Sequence, residues 1–256
     1  MAAAGAEARL HGVERGSGGV PVVLLHGFGG SHAAWDAVVS RLGGARHTVA
    51  FDLPGHAGSL AYPAGGAGVA AKAVLAELDR RDVRQAHLVG HSMGGAAAAL
   101  AALRDAPRIA SLTLFAPGGF GGEINHRLLR RFAAAREEAE LTLVLEQFFG
   151  WDRPLPEGLV AELAKQRRVE GAVAALEKIV ETFFDDGSQK VIPRAELRGL
   201  AMPTKVIWGT QDRVLPTRQA HRLPGHIAVH IFERAGHMLP YEVPDDAVRL
   251  ILENTR

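Results

Sequence analysis

Ala86-His87-Leu88-Val89-Gly90-His91-Ser92-Met93-Gly94-Gly95-Ala96-Ala97 decides how this chain folds. The apolar run over residues 86–89 reads as a buried strand, and the alanine-rich stretch over residues 92–103 reads as a helix beginning where that strand stops. Between them, Gly90-His91-Ser92-Met93-Gly94 matches the pattern G-x-S-x-G. A serine on so sharp a turn needs a strained backbone, and glycines two positions before and after it let strand and helix approach without collision. The turn also sets Ser92 at the positive end of a helix, where developing negative charge is stabilised. The bland alternative is a serine that merely caps the helix.

The same grammar recurs on either side. Short apolar runs closed by glycine or a polar turn lie at residues 20–25, 47–51, 111–115, 205–208 and 227–232, with helical patterns at 31–42, 69–80 and 245–252. Buried parallel strands joined by crossover helices read this way, so the fold class expected is α/β, with a mostly parallel, doubly wound sheet. Residues 121–200 break the alternation: no strand-like run appears, whereas Val173, Leu176, Ile179, Val180 and Phe183 repeat at helical spacing. The organisation expected is a core of residues 1–120 and 201–256 with a helical cap, or lid, over 121–200, because long insertions in such folds usually shape access to the site. Residues 61–71 read as a flexible loop leading into a helix.

A serine hydroxyl is a weak nucleophile at neutral pH and needs a base, itself held in one tautomer by a carboxylate. Asp212 stands just past the run at 205–208 and His237 just past that at 227–232, in Ala235-Gly236-His237. Ser92 is therefore the candidate nucleophile, His237 the base and Asp212 the orienting acid, in the chain order serine, acid, histidine. Asp52 also follows a strand but precedes the serine, and is read as pinning a loop. Asp245 and Asp246 follow Pro244 and read as first-turn residues of the last helix. The loop His26-Gly27-Phe28-Gly29-Gly30 can aim the Phe28 amide at a substrate carbonyl, with the Met93 amide as second donor of an oxyanion hole.

Phe148, Phe149 and Trp151, with Phe183 and Phe184, are expected to wall the pocket above Ser92, and Gly27, His91 and Met238 to line it beside the reacting groups. Packing the cap onto the core is the competing role for any one ring. Arg127, Arg130, Arg131 and Arg136 beside Glu137, Glu138 and Glu140 read as a solvated helical face with i,i+4 pairs.

The 256 residues hold 29 basic and 28 acidic side chains, a net charge of +1 that makes neither nucleic acid nor an anionic membrane an expected partner. No cysteine is present, so disulfides, thiolate metal sites and a cysteine nucleophile are excluded together. His87 and His91 are four apart, as are His226 and His230, yet neither pair sits with a carboxylate at zinc spacing, so no metal and no cofactor are expected. Residues 1–10 lack a run long enough for a signal peptide, and no stretch reaches the ~20 apolar residues of a membrane span. A cytoplasmic protein with a small-molecule acyl substrate is the expectation, its oligomeric state left open.

His26-Gly27-Phe28-Gly29, Asp52-Leu53-Pro54-Gly55-His56, Gly90-His91-Ser92-Met93-Gly94, Trp208-Gly209-Thr210-Gln211-Asp212 and Gly236-His237 together resemble the α/β-hydrolase superfamily over nearly the whole chain. The segment Leu112-Thr113-Leu114-Phe115-Ala116-Pro117-Gly118-Gly119-Phe120, with Glu123-Ile124-Asn125, is similar to the hydrolase-like domain of the dihydrolipoyl acetyltransferase component of acetoin dehydrogenase systems. Such proteins often carry a lipoyl domain first; with residues 1–19 ahead of the first apolar run, no swinging arm is expected within this chain. That resemblance implies acyl transfer, whereas the serine, acid and histidine imply hydrolysis, both through an acyl-serine. Carbon-carbon bond hydrolases of aromatic ring cleavage share the Pro117-Gly118-Gly119 neighbourhood, but usually have tryptophan where this chain has Met238 and asparagine where it has His91. Ester hydrolysis leads these readings; acyl transfer to a thiol or alcohol, carbon-carbon hydrolysis and a non-turnover ligand receptor are the alternatives.

Overall fold

In chain order the elements are β1 (Gly12–Arg15), β2 (Val22–Leu25), α1 (Asp36–Leu42), β3 (Thr48–Phe51), α2 (Ala67–Arg80), β4 (Ala86–His91), α3 (Met93–Arg104) and β5 (Ile109–Phe115). After these come α4 (His126–Ala134), α5 (Glu138–Leu145), α6 (Leu159–Arg167), α7 (Ala172–Val180), β6 (Phe184–Asp185), β7 (Ser188–Gln189) and α8 (Arg194–Leu197). The chain closes with β8 (Thr204–Gly209), β9 (Ile227–Phe232), α9 (Leu239–Glu242) and α10 (Pro244–Asn254). The computed structural model describes residues 8–42, 44 and 46–256; the reading that residues 1–10 hold no signal peptide lies mostly outside them.

Among the described residues seven strands pair in the order β1-β3-β2-β4-β5-β8-β9. Only β1, which has no apolar run and was not expected, is antiparallel, against β3; the other neighbours run parallel. β2, β3 and β4 are buried along their whole length, as strands covered on both faces must be. Helices α2 and α3 pack together, while α1 packs with α9 and α10, and α10 also touches β5 and β8. From β2 the chain goes outward to β3, then crosses back to β4 on the other side of β2. The carboxyl ends of β2 and β4 thus flank the point where strand order reverses, the place where such sheets leave a crevice for ligands. The loop from residue 26 follows β2, and Ser92 follows β4.

Helix α3 lies close to the sheet because its early residues are small. A Cβ at Gly94 would stand 2.3 Å from the Leu25 carbonyl oxygen, and one at Gly90 would stand 2.4 Å from that of Gly94. The two glycines are therefore points of backbone contact.

Between β5 and β8 the chain forms α4 to α7, with Val173, Leu176, Ile179 and Val180 buried along α7 as their spacing predicts. Phe183 lies beyond the end of that helix. The expectation of no strand in this stretch is corrected: β6 and β7 form a small antiparallel hairpin. Asp186 and Gly187, both at positive φ, make its turn, the Asp-Gly signal of a tight hairpin. The helix expected from residue 69 begins two residues earlier, so that residues 67 and 68, read as loop, open α2, an alanine-rich start whose side chains Ala70 and Ala71 are buried. Among the described residues, no helix is long and apolar enough to cross a membrane.

Candidate active site

Ser92 joins β4 to α3 with φ 52° and ψ −115°, a conformation costly for any residue with a Cβ. Its own main chain is held on three bonds: the amide donates to the Phe115 carbonyl at 2.9 Å, and the carbonyl accepts the amides of Ala96 and Gly118, each at 3.0 Å. Its side chain makes no capping hydrogen bond to α3, so the helix-cap alternative is not what the turn is built for.

The loop after β2 is fixed by two histidines. His26 Nε2 accepts the Leu53 amide at 2.9 Å, which puts its proton on Nδ1, and Nδ1 donates to the Gly27 carbonyl at 2.7 Å. His56 Nε2 accepts the Gly29 amide at 3.0 Å, and its Nδ1 donates to the Pro54 carbonyl at 3.0 Å. Burial holds both imidazoles below the usual histidine range, His56 at about 3, so both stay neutral. The Gly30 amide is taken by the Gly27 carbonyl at 3.1 Å. With Gly29 and Gly30 committed, the Phe28 amide is left; among the described residues neither it nor the Met93 amide meets an acceptor.

Asp212 follows β8 and receives four donors. Its Oδ1 accepts the amides of Val214 and Leu215 at 2.8 and 2.9 Å, and its Oδ2 accepts Trp208 Nε1 at 3.0 Å and His237 Nδ1 at 2.8 Å. The His237 proton is thereby placed on Nδ1, and Nε2 is free to accept. The His237 amide donates to the Phe148 carbonyl at 2.7 Å. Glu242, buried to 7% exposure, binds the loop on both sides of the histidine: Oε2 accepts the amides of Gly236 and Gly150 at 2.8 Å each, and Oε1 accepts that of Met238 at 3.0 Å. Burial pushes the Glu242 carboxyl up, and those amides pull it back. Nothing in the spacing of the sequence marks this glutamate, because its partners are backbone groups.

Ser92 and His237 line one small cavity of about 40 Å³, with Gly27, Phe28, His91, Phe132, Phe148, Met238 and Tyr241 around it. No direct hydrogen bond joins Ser92 to His237, a contact that is often long before substrate arrives. His91 Nε2 donates to the His237 carbonyl at 2.8 Å, and its ring lies against Gly27, where a Cβ would come 2.6 Å from Nδ1. Burial, followed by the neighbouring His237, holds His91 well below the ordinary histidine range.

Of the residues expected to contact substrate, Gly27, His91, Phe148 and Met238 face this cavity. Two expectations are corrected. Trp151 is 72% exposed and lies outside the cavity wall, and Phe149 is buried against Tyr241 as a packing residue. Phe132 and Tyr241 take their place; Phe132 is on the face of α4 that buries Leu128 and Leu129. The expected i,i+4 pairs on the arginine-rich helix are likewise corrected, since Arg130 pairs across to Glu181 at 2.7 Å.

Among the described residues, one group offers metal-ligand chemistry: His11, His32 and Asp52, whose donor atoms lie within 4.8 Å of one another. His11 and His32 reach the Asp52 carboxylate at 2.8 and 2.9 Å, and the amides of His32 and Gly58 reach it at 2.7 and 3.0 Å. With four donors, Asp52 pins the loops after β2 and β3, the role read for it. His87 and His91 part ways, His87 bonding to Ser111 Oγ at 2.8 Å.

The dihydrolipoyllysine-residue acetyltransferase component of the acetoin cleaving system of Pseudomonas putida is 35% identical to this chain, over 93% of the chain and 64% of its own length. The chain thus spans less than two thirds of that relative. The 2-hydroxy-6-oxononadienedioate/2-hydroxy-6-oxononatrienedioate hydrolase of Cupriavidus pinatubonensis is 29% identical over 96% of the chain and 90% of its own length. In fold, a meta-cleavage product hydrolase from Pseudomonas fluorescens superposes with a TM-score of 0.82 at 21% identity, covering 95% of this chain and 93% of its own. The model of the alpha/beta hydrolase family matches residues 22–250, from the first buried strand to the last helix, and the chain belongs to that family.

Proposed function

We propose that the chain is a serine hydrolase of carboxylic esters or related acyl compounds, working through an acyl-serine. The observation that carries this reading is the Asp212–His237 pair at 2.8 Å, whose histidine lines the same cavity as the strained Ser92. Ser92 Oγ attacks the carbonyl carbon while His237 Nε2 takes its proton; Asp212 stays ionised and holds the imidazole in the required tautomer. Charge on the carbonyl oxygen falls to the amides of Phe28 and Met93, each such donor being worth about 2.7–4 kcal/mol in a transition state. Collapse of the adduct expels the alcohol, protonated by His237. Water, activated by the same imidazole, then releases the acid and restores the serine. Residues 121–200 act as the lid over this centre.

The likeness to an acetyltransferase component favours a second reading, in which a thiol rather than water takes the acyl group from Ser92. Product analysis with competing coenzyme A or dihydrolipoamide separates the two. The first test is turnover of a simple methyl ester by the wild type and by Ser92→Ala, His237→Ala and Asp212→Asn. The wild type is expected to hydrolyse it and the variants to fall by orders of magnitude; equal rates in all four would overturn the assignment.

A further inference from the structure

Ser92 stands between two unequal spaces. One is the small cavity of about 40 Å³ that His237 lines; the other is a groove of about 780 Å³ that includes Ser92 and Met93 but not His237. The proton that His237 returns goes to the leaving group, so the leaving group must lie on the histidine's side and the acyl chain on the other. The histidine's side has room for only a few heavy atoms. This assignment rests on the serine-hydrolase reading.

The groove runs along α3. Met93, Ala96, Leu100 and Arg104 recur at helical spacing and line it together, passing from buried through half-buried to exposed, so the space opens outward along the helix. At 1.5 Å per residue, Met93 to Arg104 covers about 16 Å. The walls are apolar, with Val69, Ile124, Phe183 and Ile192 among them, but the far end is cationic. Among the described residues Arg104 donates to the Gly68 carbonyl alone, at 3.3 Å, and Lys72 stands one turn further along α2. Among the described residues, neither meets a carboxylate at ion-pair distance. The opening turn of α2 adds its positive end to the same place. Lys190, which pairs with Asp185 at 3.6 Å, and one carboxylate, Glu196, complete the charged lining.

We propose that the substrate is an ester of a small alcohol with a long, extended acid whose far end is anionic, the chain lying along α3 and the anion held by Lys72 and Arg104. The test compares the monomethyl ester of a long α,ω-dicarboxylic acid with the methyl ester of the fatty acid of equal length. In the wild type the half-ester should show a KM about tenfold lower, the worth of one charge-assisted contact. A half-ester too short to span α3 should show no such advantage. In the Lys72→Gln/Arg104→Gln double variant, the KM ratio of the two long esters should fall to near one. Equal KM values in the wild type, or an advantage that survives in the double variant, would overturn the proposal. A readout independent of turnover uses Ser92→Ala and the free long diacid by calorimetry. Binding that disappears when Lys72 and Arg104 are also replaced supports the groove assignment even if no variant hydrolyses anything, and absence of binding counts against it.

Discussion

Around Ser92 the backbone holds itself. Main-chain bonds to Phe115, Ala96 and Gly118 fix the turn, and at Gly94 and Gly90 strand and helix touch with no side chain between them. Around His237 the work falls to side chains from elsewhere in the fold: Asp212 grips the ring, Glu242 grips the amides on either side of it, and Phe148 contributes a carbonyl from the segment between β5 and β8. The position of Ser92 is thus a property of a few consecutive residues, whereas that of His237 depends on carboxylates whose loss leaves buried donors without acceptors. Substitutions on the two sides should therefore fail in different ways.

The largest effect is expected on the histidine side. Asp212→Asn can no longer accept all four donors and no longer secures the Nδ1 proton, so kcat should fall by about ten-thousandfold, read by steady-state ester hydrolysis. On the serine side Gly94→Ala should act through folding. Its new methyl would meet the Leu25 carbonyl oxygen at 2.3 Å, and chemical denaturation should show a loss of roughly 3 kcal/mol or more. Glu242→Ala strands three amides and should cost about 1–3 kcal/mol for each buried donor that finds no water, with a matching fall in activity. Glu242→Gln keeps an oxygen for Gly236 and Gly150 and loses only the Met238 bond, so it should recover most of both.

The most gradual effect concerns pH. His26, His56 and His91 are all held neutral by burial, below the range they have in the unfolded chain. The unfolded chain therefore takes up protons first as pH falls through about 6.5, and folding stability drops from there. Each of the three contributes a slope of about 1.4 kcal/mol per pH unit until its folded form titrates, which for His56 is near 3. Urea midpoints measured from pH 7 to pH 4 should decline with a steepening slope; a flat profile would mean that these rings are hydrated.

Legibility in the sequence follows the same division. The strand, elbow and helix around Ser92 could be read directly, because the glycines, the serine and the apolar run are contiguous and each answers to a local steric demand. Strands β2, β3, β4, β5 and β8 were visible for a related reason, being buried almost throughout and therefore largely apolar, whereas β9, an edge strand with Val229 and Ile231 exposed, was visible because its residues are apolar all the same. β1 was not, since an edge strand of mixed polarity carries no periodic signal. Glu242 was invisible because amides have no residue identity, and Trp151 misled because aromatic content says nothing about which way a ring points. The cationic end of the groove needed the fold, which brings Lys72 of α2 and Arg104 of α3 to one place.

Whether His237 makes Ser92 reactive can be read by covalent labelling with a fluorophosphonate followed by peptide mapping. A single adduct on Ser92 is expected in the wild type, with a labelling rate reduced by orders of magnitude in His237→Ala. An adduct on a different serine, no adduct at all, or an equal rate in His237→Ala would contradict it.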